Sequence, residues 1–183
     1  MKPINIMKTT SLFLLGLSLF FVAGCADDST TDTTSPPSKV EYTYSGERSG
    51  AFKVDGAYPS QKDGSGAMST LSADRKTVTI SAINWTKSGT EANFIDITLT
   101  SNTAIVDNQV FTPSNSNSNV IAVTGYGINH SSFNASDAFA AISGKVTLTT
   151  VKDNQIKGTF DFVTANGNAK VITITNGKLD VKY

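Results

Sequence analysis

From about residue 40 to the C-terminus, apolar and polar side chains alternate in short runs, the period-two signature of half-buried strands. Val78, Ile80 and Ala82 alternate with Thr77, Thr79 and Ser81, and Ile95, Ile97 and Leu99 with Asp96, Thr98 and Thr100. The same pattern returns at Val146 and Leu148, at Phe160 and Phe162, at Ile172 and Ile174, and at Leu179, Val181 and Tyr183. Valine and threonine enrichment suits a pleated, half-exposed surface. Turn-forming residues separate the runs: Asp55-Gly56, Asp74-Arg75-Lys76, Lys152-Asp153-Asn154, Asn166-Gly167-Asn168 and Asn176-Gly177, with Pro113 to Asn119 as a surface loop. Asn134 to Ala141 is the one weak helix candidate, and Phe139 suits a strand equally well. Short connections imply antiparallel neighbours, because parallel strands need long crossovers. The expected fold is all-β: one antiparallel meander domain of about eight to ten strands, forming a β-sandwich or a flattened β-barrel.

The N-terminus follows a different grammar. Lys2 and Lys8 precede an apolar run from Leu12 to Ala23 that is broken only by Gly16 and Ser18. Twelve such residues are too few to cross a bilayer, which takes roughly 20. The run closes on Val22-Ala23-Gly24-Cys25, and Cys25 is the only cysteine in the chain. These four residues resemble a bacterial lipobox, the sequence read before a cysteine is acylated and becomes the mature N-terminus. The resemblance implies that residues 1–24 are a lipoprotein signal peptide and that Cys25 carries a diacylglyceryl thioether and an amide-linked acyl chain such as palmitate. Several acyl chains hold a protein stably where one binds marginally. With Cys25 modified, no thiol is left for a disulfide, a zinc site or a nucleophile.

Residues 25–39 read as the lipidated cysteine and a flexible tether. Ala26 to Lys39 contains no large apolar side chain, so it buries too little surface to offset the entropy of ordering. Fully extended, its fourteen residues reach at most about 50 Å. Asp27-Asp28 resembles the acidic export signal of surface-exposed lipoproteins in Bacteroidota. Asp28-Ser29-Thr30 and Asp32-Thr33-Thr34 resemble that phylum's O-glycosylation motif. A solvated acidic linker has the same composition. Localisation is therefore expected at the bacterial cell envelope, lipid-anchored at the outer membrane, with the periplasmic and surface faces both open.

The chain has 15 basic and 15 acidic residues. Loss of Lys2 and Lys8 with the signal leaves 13 basic residues, so the mature chain is slightly acidic. No basic stripe marks a nucleic-acid partner. Residues 40–183 are enough for one domain with a sizeable core.

Within that domain Ser143-Gly144-Lys145-Val146-Thr147-Leu148-Thr149, Gly158-Thr159-Phe160-Asp161-Phe162 and Val171-Ile172-Thr173-Ile174-Thr175-Asn176-Gly177 follow one another, with Phe52-Lys53-Val54-Asp55-Gly56 upstream. This succession resembles a family of small Bacteroidota envelope lipoproteins of unknown function. The resemblance implies an envelope location and an all-β fold, and it brings no activity or catalytic residues with it.

Catalytic motifs are absent. The single histidine, His130, has no triad context, and Ser65 in Asp63-Gly64-Ser65-Gly66 lacks the strand-turn-helix setting of a nucleophile elbow. No histidine–cysteine cluster suggests zinc, and no calcium or phosphate loop is present, so no metal or cofactor is expected. Asp96 and Asp161 fall on the polar parity of their strands and so are expected to face solvent. Trp85 is the candidate ligand contact. Ile83 and Trp85 fall off the parity of Val78, Ile80 and Ala82, so either a bulge shifts the register or Trp85 lies on the opposite face. There it would contact a sugar ring or a protein partner, or be covered by a loop, and Tyr42, Tyr44, Tyr58 and Tyr126 are candidates to extend an aromatic patch.

The expected function is that of a membrane-anchored, non-enzymatic binding or structural module, held through lipid on Cys25 and facing a glycan or another envelope protein. The alternatives are a lipocalin-like carrier of a small apolar ligand, lined by inward aromatics such as Phe160 and Phe162, and a glycan hydrolase using carboxylates such as Asp96 or Asp161. The sequence carries no signal of oligomeric state.

Overall fold

A computed structural model of the chain describes residues 38–60, 64–85, 89–129 and 137–183. The lipobox Val22, Ala23 and Gly24, the lipidation candidate Cys25, the tether motifs and His130 lie outside the described residues. Ten strands make up the fold: β1 (Lys39–Gly46), β2 (Gly50–Asp55), β3 (Ser65–Leu71), β4 (Thr77–Trp85), β5 (Glu91–Ser101), β6 (Val110–Phe111), β7 (Ser118–Asn129), β8 (Phe139–Lys152), β9 (Gln155–Ala165) and β10 (Val171–Lys182). They form one antiparallel sheet in the order β2-β1-β10-β9-β8-β7-β5-β4-β3, with β6 paired to β8.

The sheet curls into a nearly closed barrel. Its two edge strands meet where the Ala67 amide donates to the Gly56 carbonyl at 3.0 Å, and β3 also reaches β10, with Ser69 Oγ donating to the Lys182 carbonyl at 2.7 Å. Gly66 is required at this seam, since a β-carbon there would overlap the Ala57 carbonyl. Of the two architectures open from the sequence, the barrel is the one formed. β1 opens at Lys39, one residue before the expected boundary, and the Ser38 carbonyl accepts a hydrogen bond from Gly56.

The alternating runs place their apolar parity inward. Ile80, Ile95, Ile97, Leu99, Val146, Leu148, Ile156, Ile172 and Val181 are fully buried. Each such side chain contributes about 1.5 to 3 kcal/mol through removal from water. Residue 139 opens a strand, so the helix candidate at Asn134 to Ala141 does not hold for its described part.

Asn176-Gly177 also departs from expectation. Instead of turning the chain, it forms a bulge inside β10, and the register against β9 shifts between Ile174 and Gly177. The extra residue switches the inward parity from Ile172 and Ile174 to Leu179 and Val181, so both apolar runs belong to one strand and face one core. Asn176 takes the positive φ of 56° that the bulge needs. β8 bends the same way, with register shifts between Ala141 and Ser143 and between Leu148 and Thr150.

The barrel is plugged at one end. The segment between β5 and β6 folds beneath the strands and places Ile105 in the core, fully buried. Its amide donates to the Arg75 carbonyl at 2.7 Å, the Val151 amide donates to Asp107 Oδ1 at 2.6 Å, and Gln109 Nε2 donates to Ser101 Oγ at 2.9 Å. Arg75, in turn, donates to the Val151 carbonyl at 3.1 Å.

Gly144 gives a direct test of the bend in β8. Its φ is +118°, and a β-carbon would overlap the Asp161 carbonyl across the ladder. Gly144→Ala is expected to lower the urea midpoint by the equivalent of about 1 to 3 kcal/mol, through strain and loss of ladder geometry. An unchanged midpoint would show that the bend does not depend on this glycine.

Candidate functional site

Opposite the plug, the barrel end is framed by the β1–β2 turn, the β9–β10 turn, the end of β7 and the start of β8. A recess of about 350 Å3 opens there, with Glu47, Arg48, Asp137, Asn168 and Lys170 around it and Tyr126, Ile128 and Phe139 among its lining. Barrel mouths are a preferred place for small-molecule sites, and this volume is at the low end of the range of about 300 to 1,000 Å3 that such sites occupy.

Local chemistry builds each wall. The β1–β2 turn leaves Gly46 at φ +120°, and the Glu47 amide donates to the Val171 carbonyl at 3.0 Å, which locks that turn onto β10. Asn166 organises the β9–β10 turn: its Oδ1 accepts the amides of Asn168 and Lys170, both at 3.0 Å. Lys170 forms an ion pair with Glu47 and ties the two turns together. Arg48 reaches across the rim, and its Nη1 donates to the Tyr126 carbonyl at 2.6 Å. A guanidinium has five N–H donors, and this bond uses one of them.

Beneath the rim lies an aromatic column. Tyr44 stacks on Tyr126 with ring centroids 4.2 Å apart, and Tyr126 meets Phe139 edge-on at 6.5 Å. Deeper, Tyr42 stacks on Phe52 at 4.9 Å and meets Phe160 edge-on at 5.8 Å, while Phe160 lies 5.7 Å from Phe162. Phe160 and Phe162 do point inward, but they pack against neighbouring rings and do not line an open cavity.

Three hydroxyls lie within this column. Tyr42 and Thr124 hydroxyls are 3.3 Å apart, and Thr124 Oγ1 donates to the Phe94 carbonyl at 2.7 Å. Thr124 and Tyr42 lie close enough to the Tyr126 hydroxyl to oppose the effect of burial on it, yet it is buried without a hydrogen bond to either. Burial raises the pKa of Tyr126 and pushes that of Tyr42 well above its ordinary value, with the neighbouring Tyr126 adding to the effect on Tyr42. Both phenols are therefore neutral across the physiological range.

The residues singled out from sequence lie elsewhere. β4 pairs with β3 and β5 without a shift through Trp85, so no bulge intervenes and Trp85 takes the outer face. By register it lies there with Ile83, Ala92 and Phe94, half-buried, next to Ala92, which pairs in turn with Ile128. Ile83, Ala92 and Ile128 are buried but do not belong to the barrel core, so this end of the sheet carries a second, outer apolar cluster. The Phe94 ring occupies the space over Gly125 that a β-carbon would need. Trp85 is not among the residues around the recess. Tyr42, Tyr44 and Tyr126 do come together, but inside the barrel and not as an extension of Trp85.

Asp96 and Asp161 face outward, as expected. Asp161 pairs across the ladder with Lys145. Asp96 keeps an exposed surface, yet neighbouring groups displace enough water to raise its pKa, and a hydrogen bond with Ser81 opposes that rise. Tyr58 lies beside it, its own pKa raised first by burial and then by the Asp96 charge. β7 and β8 separate the strands of the two carboxylates, so they share no cleft. Among the described residues, no group of three or more metal-ligating side chains of the His, Cys, Asp or Glu type comes together.

Of the mouth residues, the sequence offers Tyr126 as an aromatic candidate and Asn166-Gly167-Asn168 as a turn, whereas Glu47, Arg48, Asp137 and Lys170 were not singled out. Their only local signals are the turn residues Gly46 and Asn166, which report a turn and not what it faces. Compared with known proteins, the chain matches no family model, no curated protein and no solved structure.

The unpartnered phenol yields a paired test. Tyr126→Phe is expected to leave stability unchanged or raise it by up to about 1 kcal/mol, because it removes a desolvated hydroxyl that makes no bond. Tyr42→Phe, which removes the bond to Thr124, is expected to cost about 0.5 to 1.5 kcal/mol. Denaturant midpoints of the two variants check both signs. A loss above about 1 kcal/mol in Tyr126→Phe would mean that a bound water completes the trio.

Proposed function

We infer that this protein is a bacterial envelope lipoprotein, anchored at the outer membrane through acylated Cys25, and that its barrel is a non-enzymatic binding module. The observation that carries the reading is the contrast between a filled interior and a mouth lined by polar and charged side chains. The column from Phe52 and Tyr42 to Tyr126 and Phe139 occupies the space a carrier would reserve for an apolar ligand. Arg48, Asp137 and Asn168 stand at the rim. The run of strand motifs from Ser143 to Gly177 supports membership in the Bacteroidota lipoprotein family it resembles.

Neither alternative gains an observation of its own. A carrier requires Phe160 and Phe162 to border free volume, and they contact each other and Tyr42. A glycan hydrolase needs two carboxyl groups flanking one bond. Asp96 and Asp161 lie on separate outer surfaces, and at the mouth the Glu47 carboxylate is held by Lys170.

Cys25→Ser tests the anchor. Expressed with its signal in a bacterial host and fed labelled fatty acid, the variant is expected to lose label and to leave the membrane fraction, while the parent chain retains both. Label persisting in the variant would refute acylation at Cys25.

A further inference from the structure

We propose that the barrel mouth binds a neutral, hydroxyl-rich ligand of about one or two sugar rings. This rests on the binding-module reading and names the class of ligand for its site.

Charge balance is the first argument. Arg48 and Lys170 on the rim are matched by Glu47 and Asp137. Among the described residues that line the recess the charges thus balance, which favours neither an anion nor a cation. The recess offers donors and acceptors side by side, and hydroxyl groups use both at once.

Availability is the second. The Arg48 guanidinium is fixed by the Tyr126 carbonyl, leaving most of its donors for a ligand at little further cost in entropy. Asn166 has spent its carbonyl oxygen inside its own turn, and Lys170 and Glu47 hold each other. Among the described residues, no side-chain hydrogen bond or ion pair commits Asp137 or Asn168. The free groups are thus a guanidinium, a carboxylate and a primary amide, a set that complements vicinal hydroxyls.

Shape is the third. The recess is about 350 Å3, and the aromatic residues Tyr126 and Phe139 are part of its lining, a complement to the C–H face of a ring. The volume admits a short saccharide unit and excludes a folded protein segment of any length.

The test uses the full acylated protein in detergent and saturation-transfer NMR against maltose, lactose and diacetylchitobiose, with glucuronic acid as the anionic control. At least one neutral sugar is expected to receive transfer, with little change as salt rises from about 50 to about 500 mM, because no net charge is screened. Arg48→Ala and Asp137→Ala are each expected to weaken it about tenfold or more, the loss of a charge-assisted hydrogen bond. Lys53→Ala, on the outer face of β2, is expected to leave it unchanged. Transfer to none of the neutral sugars, transfer equal in all three variants, or transfer to glucuronic acid alone with steep salt dependence would each overturn the saccharide assignment.

A photo-crosslinking residue at position 168, used in cells, separates the two levels. Crosslinks that depend on Arg48 without any sugar binding would remove the ligand class and leave the binding module standing. With neither crosslinks nor sugar binding, both readings fall.

Discussion

Everything in this fold depends on keeping one apolar parity pointed inward while the sheet bends far enough to meet itself. A regular strand has period two and resists sharp bending. A barrel needs strands that tilt and coil, and local extra residues supply the bend. In β10 the bulge at Asn176-Gly177 lets Ile172 and Ile174 share a core with Leu179 and Val181, although the two pairs fall on opposite parities of the numbering. In β8 the shifts on either side of Gly144 carry Phe139, Val146 and Val151 to the same interior. Without these resets, half of each long strand would present its apolar side chains to water.

The same constraint explains the glycines that the strand motifs contain. At Gly144 the partner strand approaches so closely that no β-carbon fits, and at Gly177 the Phe160 ring fills the place a side chain would take. Close approach of backbone to ring helps pack the aromatic column. The column in turn leaves three hydroxyls in the buried interior, of which only Tyr42 and Thr124 bond to each other.

Closure also makes the two ends of the barrel unequal. At one end a long connection is available, and it folds under the strands to insert Ile105. At the other, the short β1–β2 and β9–β10 turns build part of the rim, and polar side chains that have no place in the core gather there. Arg48 braces that rim. Its bond to the Tyr126 carbonyl ties β7 to the β1–β2 turn and uses one of its five N–H donors.

Period-two alternation, turn residues and composition were enough to show an all-β chain, its antiparallel connections, the inward parity of β4, β5 and β9, and the outward Asp96 and Asp161. These are properties of neighbours along the chain, and local sterics and solvation settle them. Asn176-Gly177 misled because the same two residues that favour a tight turn also favour a bulge, and what lies across the ladder decides between them. Barrel against sandwich, the outward placement of Trp85 and the gathering of Tyr42, Tyr44 and Tyr126 inside depended on which distant strands pair. The mouth shows this most plainly: Arg48 meets Tyr126 across a separation of 78 residues, and Lys170 meets Glu47 across 123. A periodic pattern records which face a residue takes. Only closure of the sheet determines which other residues share it.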